Sequence, residues 1–280
     1  MPDIYSEKMT RSTGEAQRYN PKPPISHKNI GYLVKPHIAA TLPPNARVAD
    51  IGTGTGHFLE VLQQSYPDAV LDGYDISTAM YPATTPANLN LKVLDIKEPV
   101  PEELHGKYDL VHARLLVAAI LPDEWNTIVR NLAQLVKPGG WMQWEECDFI
   151  SSKYLRGGQL GSSSADTLVK IAHMWREEMR ERFQCGWSTL PADMRAAGLD
   201  SVGSDCVSSD RVPETRKAVG LNGMVAILYW LRKLAANGVP GSMTADEVEL
   251  TEKRAREEID SGAYVRFEIY VTSGQKKALA

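Results

Sequence analysis

From Arg47 onward, short apolar runs recur along the chain: RVADIG, AVLDGYD, NLKVLD, YDLVHAR and WMQWEE, each separated from the next by a segment able to form a helix. This alternation is the signature of a parallel sheet built from βαβ units, so five strands are expected here. Between the fourth and fifth runs, Trp125, Ile128, Val129, Leu132, Leu135 and Val136 fall at helical spacing, with Asp123 placed to cap the helix and KPGG to end it. That helix should pack on the sheet.

After Asp148 the alternation is interrupted by roughly forty residues that include one helical stripe, Leu168, Ile171, Ala172, Trp175, Met179 and Phe183. A second helix is expected from Pro213 to Ala236, with Met224, Ile227, Leu228, Leu231 and Leu234 on one face and the NG pair at its end. Thr244 and Glu247 have the spacing of a capping box for a helix through Ile259. The run YVRFEIYVT then places Val265, Phe267, Ile269 and Val271 on one side, as a half-buried, antiparallel last strand would. The first thirty residues are polar and proline-rich around NPKPP but hold Ile4, Tyr5, Met9, Tyr19 and Ile25, enough apolar surface to dock. The expected organisation is an N-terminal helical cap over residues 1–36 and one α/β domain over 37–280, with lid insertions at about 151–190 and 213–243.

Composition narrows the partners. A chain of 280 residues can bury a substantial core as a single domain. A net charge of −4 gives no reason to approach nucleic acid. Cys147, Cys185 and Cys206 are widely spaced and form no C-x-x-C or Cys/His cluster, so neither a disulfide framework nor a zinc site is expected. The first residues carry charges and prolines where a signal peptide needs an apolar run, and no stretch reaches about 18 apolar residues. A cytoplasmic protein that acts on a small molecule, away from membranes, as a monomer or homodimer, is the resulting expectation.

The candidate chemistry begins in VADIGTGTGHF, where a strand ends in Asp50 and turns through Gly52, Gly54 and Gly56 into a helix. Glycines there let a ligand approach the main chain closely. The third glycine comes one residue too early for the dinucleotide pattern, and a carboxylate at position 50 suits the cationic amino-acid part of S-adenosylmethionine (SAM). Asp75 lies 19 residues beyond Gly56 at the end of the second strand, where a carboxylate can accept both ribose hydroxyls; the alternative is a helix cap for STAM. Asp95 ends the third strand, placed for an adenine amino group with Ile96 against the ring, or else as a turn carboxylate.

DIGTGTG, GYDIS, VLDI, YDLVHARLL and LVKPGGWMQWEE, in this order and spacing, resemble the class I SAM-dependent methyltransferases, and the last two segments resemble the small-molecule methyltransferases of fungal secondary metabolism. The resemblance implies a Rossmann-like seven-stranded sheet in the order 3-2-1-4-5-7-6 with strand 7 antiparallel, and SAM as cofactor with S-adenosylhomocysteine as product. It implies a cofactor set of Asp50, Gly52, Thr53, Gly54, Gly56, Asp75, Ile76, Asp95, Ile96, His112, Ala113 and Arg114.

The methyl acceptor is less defined. His112, at the carboxyl end of the fourth strand, and Glu146, near the end of the fifth, are the candidate catalytic bases, with Asp148 able to take the same role as Glu146 and ordinary polar strand-end roles as the alternative. His27 and His173 are weaker candidates. Arg114 could clamp an acceptor carboxylate, and Tyr5, Tyr19, Trp144, Trp175 and Trp230 are candidates to line an apolar acceptor pocket. No acidic cluster follows the fourth strand, so no metal is expected. The leading expectation is O-methylation of a hydroxyl or carboxyl in secondary-metabolite biosynthesis. N-methylation, a methyltransferase-fold regulator, a SAM-binding protein that does not methylate, and a nicotinamide-dependent dehydrogenase are the alternatives.

Overall fold

A computed structural model describes residues 25–158, 161 and 163–278. The five apolar runs form β1 (Arg47–Ile51), β2 (Val70–Asp75), β3 (Leu89–Val93), β4 (Tyr108–Arg114) and β5 (Val136–Leu155). Two further strands, β6 (Leu199–Ser208) and β7 (Tyr264–Lys276), complete a seven-stranded sheet in the order β3-β2-β1-β4-β5-β7-β6. β1 to β5 pair in parallel and β7 runs antiparallel to both β5 and β6. This is the order and the antiparallel last strand that the resemblance implies.

Alternation along each strand sorts its side chains onto two faces. On one face, Val48, Leu110 and Trp141 meet Phe58, Leu59 and Leu62 of α3 (His57–Gln63), together with Val34, which precedes the short helix α2 (Pro36–Ala39), and Ile38 within it. On the other, Ala49, Ile51, Val111, Ala113, Met142 and Trp144 meet Trp125, Ile128, Val129, Leu132 and Leu135 of α4 (Trp125–Leu135). Helix α4 starts at Trp125 with Glu124 at its N-cap and no side-chain cap, so Asp123 does not cap it, and Val136 already belongs to β5.

The interruption after Asp148 differs from its expectation. β5 continues past an irregularity between Asp148 and Lys153 as far as Leu155. The helical stripe that follows is broken at Met179 into α5 (Asp166–Glu178) and α6 (Arg180–Phe183), and α7 (Leu190–Ala196) comes before β6. α5 packs with α8 (Arg216–Ala236) and α9 (Ala245–Asp260) around a second core of Leu168, Ile171, Met224, Leu228, Leu231 and Ile259. The Thr244–Glu247 capping box opens α9 with both reciprocal hydrogen bonds. α1 (Ile25–Ile30) is tied to the connection before α8 by Asn29, whose amide donates to Thr215 Oγ1 at 2.8 Å and accepts from Val212 N at 2.8 Å.

These positions correct part of the expected acceptor wall. Trp144 is fully buried against Trp125 and belongs to the core between sheet and α4. Trp175 and Trp230 pack on each other with ring centroids 5.3 Å apart, Trp230 buried and Trp175 partly so, in the second core. Tyr5 and Tyr19 lie outside the described residues. As a core residue, Trp144 should lose about 3–5 kcal/mol of stability on Trp144→Ala, read by urea denaturation; a loss below about 1 kcal/mol would return it to a pocket wall.

Candidate functional site

The carboxyl ends of β1, β2 and β4 enclose a cavity of about 460 Å³, the place where open α/β sheets bind their ligands. Asp50, Gly52, Thr53, Gly54, Asp75, Ile76, Asp95, Ile96 and Arg114 all line it. Gly52, Gly54 and Gly56 have φ of 65°, 57° and 80°, so the loop curls through a left-handed path that other residues adopt only with strain. At Gly52 a Cβ would also lie 2.3 Å from the Leu116 side chain, so the loop and the segment after β4 are closely packed walls of one space. Gly56 is set back from the lining and opens α3.

Each carboxylate is oriented by hydrogen bonds from the chain itself. Asp75 accepts from Gly54 N at 3.0 Å through Oδ2 and from Ser77 N at 3.2 Å through Oδ1. Asp95 accepts from Lys97 N at 3.0 Å. Asp50 Oδ2 accepts from Thr53 Oγ1 at 2.7 Å, and Oδ1 faces His112 Nδ1 at 2.7 Å. Gly73 of β2 makes room for Thr53, since a Cβ there would sit 2.9 Å from the Thr53 hydroxyl.

His112 and Ala113 are placed differently from expectation. Both are buried, and neither lines the cavity. Ala113 packs on the α4 side. His112 is wholly enclosed, with Nε2 3.4 Å from Glu145 Oε1 and the Phe58 ring stacked on it at 3.6 Å and 1°. Burial opposes a charge on His112, but its hydrogen bonds to Asp50 and Glu145 outweigh burial and hold its pKa above the usual value. Burial likewise opposes the Glu145 carboxylate, and the His112 bond outweighs it and keeps that group ionised. Next to Glu145, His27 Nε2 is 4.0 Å from Oε2, and burial pushes the His27 pKa down to about 4, so this ring is neutral at neutral pH.

Glu146 faces the opposite side of β5. Its Oε1 accepts from Trp144 Nε1 at 3.1 Å and from Leu116 N at 2.7 Å, and burial raises its pKa to about 8. Behind the cavity wall and protonated at neutral pH, it is not placed to accept a proton from a ligand. Its hydrogen bond pins the turn in which Leu115 adopts a φ of 54°, a left-handed conformation strained for leucine and seen where surrounding contacts enforce it. His173 is exposed on α5, near Glu177.

Several lining residues were not foreseen. Phe58, Met80, Lys97, Leu116 and Glu124 face the cavity, with Lys97 Nζ bonded to Glu124 Oε2 at 2.7 Å. Phe58 and Leu116 carry ordinary core signals in the sequence, and only the third dimension distinguishes them. Among the described residues there is no His/Cys/Asp/Glu group able to hold a metal ion, and no helix long and apolar enough to cross a membrane.

Comparison with known proteins agrees with this architecture. Residues 28–202, more than half of the chain, match the family model described as a methyltransferase domain. Methyltransferase grgD of Penicillium sp is 50% identical over 110 residues, 36% of this chain and 39% of the relative. N-methyltransferase sirN of Leptosphaeria maculans is 34% identical over 169 residues, 60% of this chain and 56% of the relative. The chain thus spans about half the length of the curated relatives it matches. A chain from the complex between the Haloferax volcanii Trm112 methyltransferase activator and a methyltransferase superposes with a TM-score of 0.54 at 17% identity, covering 99% of both chains, which supports the fold. With its seven-stranded sheet, its glycine loop and a family match over most of the sheet, the chain belongs to the methyltransferase domain family, with the class I Rossmann-like fold.

Proposed function

We propose that this protein is a SAM-dependent methyltransferase that methylates a nitrogen of a small metabolite in fungal secondary metabolism. The observation that carries the cofactor assignment is the set of three carboxylates, Asp50, Asp75 and Asp95, spaced along one glycine-walled cavity of about 460 Å³. Asp50 faces the cationic amino-acid end, Asp75 the ribose hydroxyls, and Asp95 with Ile96 the adenine. When bound, SAM supplies a methyl group on a cationic sulfur. The chain's residues contribute orientation and exclusion of water.

Nitrogen replaces oxygen as the acceptor for two reasons. The relative sirN is named an N-methyltransferase, and no relative reported above is named for O-methylation. A hydroxyl acceptor is helped by a base, yet Glu146 is protonated at neutral pH and His112 is enclosed between two carboxylates. A neutral amine is nucleophilic without first losing a proton, whereas a hydroxyl oxygen gains its reactivity on deprotonation. We place the acceptor beside Arg114, which lines the cavity. The protein works as a cytoplasmic monomer or homodimer in this reading.

Calorimetric titration should show binding of SAM and S-adenosylhomocysteine, and labelled SAM should methylate amines in a panel that also holds phenols and carboxylic acids. Binding of NAD alone would overturn the cofactor reading, methylation confined to oxygen would overturn the acceptor, and SAM binding without transfer to any amine would favour a regulatory or non-methylating role. Asp75→Ala should weaken S-adenosylhomocysteine binding by about 1–3 kcal/mol, the scale of hydrogen bonds lost from a charged acceptor. An unchanged affinity would remove Asp75 from the ribose site. Glu146 supplies a pH test. Because its folded pKa lies above the ordinary carboxyl value, its contribution to stability is present at low pH and is lost as pH rises toward about 8. Glu146→Gln keeps the acceptor oxygen without the titration, so its stability relative to wild type should improve by at least about 1 kcal/mol between pH 5.5 and pH 8 in urea denaturation. A difference independent of pH would show that Glu146 is ionised in the fold.

A further inference from the structure

We propose that His112 is a positioning residue, a buried imidazolium held between Asp50 and Glu145 that fixes the Asp50 carboxylate for the amino-acid end of the cofactor. The inference rests on the SAM reading above and gives His112 a role that does not touch the reacting atoms.

Hydrogen-bond arithmetic comes first. Nδ1 lies 2.7 Å from Asp50 Oδ1 and Nε2 lies 3.4 Å from Glu145 Oε1. Ionised carboxylates only accept, so both ring nitrogens are asked to donate, and a neutral imidazole has a single N–H. Surrounding bonds leave little freedom to reverse this. The Gln143 amide is oriented by the backbone, accepting from Lys35 N at 2.8 Å and donating to Leu33 O at 3.0 Å, and the same Nε2 reaches Glu145 Oε1 at 3.3 Å. Glu145 is thereby held as an acceptor from two directions.

With His112 protonated, Asp50, His112 and Glu145 together carry one net negative charge; with it neutral, two like charges would share a buried space, which is far more costly. The Phe58 ring, stacked face to face on the imidazole at 3.6 Å, presents its negative face to that cation. His27, 4.0 Å from Glu145, is neutral at neutral pH and does not compete for the Glu145 charge. The triad keeps one net negative charge, with the Arg114 cation acting on its Glu145 end, and the member of the triad that lines the cavity is Asp50.

Asp50 is gripped on both oxygens, by His112 on Oδ1 and by Thr53 on Oδ2. The carboxylate plane is therefore fixed, and its remaining lone pairs meet a ligand cation without reorganisation. Removing His112 frees one oxygen and adds a second net negative charge behind it.

Two ligands separate positioning from a general scaffold role. S-adenosylhomocysteine carries the amino-acid end, and 5′-methylthioadenosine shares the nucleoside and sulfur but lacks it. By calorimetry, His112→Gln should weaken S-adenosylhomocysteine at least about tenfold, the scale of one charged hydrogen bond, and change 5′-methylthioadenosine less than about threefold. Glu145→Gln should give a smaller loss with the same selectivity. Equal losses for both ligands, or none, would overturn the proposal. If neither variant folds, nitrogen NMR of wild type labelled with ¹⁵N-histidine at pH 7.5 decides. Two protonated nitrogens on the His112 ring are expected, and a single one overturns the proposal. Wild type that binds neither ligand would sink the SAM reading instead, so the two failures are distinguishable.

Discussion

The site depends on one row of residues that the parallel register draws across the sheet. Asp50 of β1 is the register partner of Gly73 in β2 and of His112 in β4, and His112 is the partner of Gln143 in β5. These positions share the face covered by α3, and Glu145 follows Gln143 on that face by strand alternation. A polar row in the middle of a sheet is tolerable only where every member finds a partner. Here the row ends in backbone: Gln143 bonds the chain at Leu33 and Lys35, which anchors the segment between α1 and α2. The acid at the cavity and the docking of the N-terminal elements thus belong to a single hydrogen-bonded system.

A second constraint closes the cavity from the β4 side. The chain leaves β4 through Leu115 in a left-handed conformation and places Leu116 against Gly52. That turn would relax if its backbone were free. Leu115 N instead bonds Glu145 O at 3.0 Å and Leu116 N bonds the buried Glu146 carboxyl. The glycine at position 52 therefore answers two demands at once, a backbone angle and the absence of a side chain where Leu116 sits. A sequence that kept the glycine but lost the anchor would leave the wall of the cavity unpositioned.

What could be read from the chain follows from how local each signal is. β1 to β5, α4, α8 and the capping box of α9 were legible because apolar periodicity and capping chemistry lie within a few residues of each other. β6 was not identified, because LDSVGSDCVS is an edge strand paired only with β7 and exposed over much of its length, so its few apolar residues make no run. The break at Met179 was hidden because the apolar stripe continues past it to Phe183. In the site, the glycines and the strand-end Asp50, Asp75 and Asp95 stand in contiguous motifs. The surroundings of His112 do not: they are set by cross-strand register between segments 62 and 33 residues apart. Trp144 was misassigned for a related reason, since WMQWEE fixes which residues alternate but not which face the cavity adjoins.

Two neighbouring acids on β5 show how much that alternation decides. Glu145 and Glu146 differ by one position and so point to opposite faces. On the α3 face, Glu145 meets an imidazole and remains ionised in spite of burial. On the α4 face, Glu146 meets an indole N–H and the backbone N–H groups of Leu116, Val117 and Cys147, which do not offset burial, and it holds its proton at neutral pH. The ionised acid is already paired and the protonated one lies behind the cavity wall, so neither glutamate is placed to take a proton there. In the reaction proposed for this site, acceleration comes from how the two reactants are held together, and the acceptor has to arrive already nucleophilic.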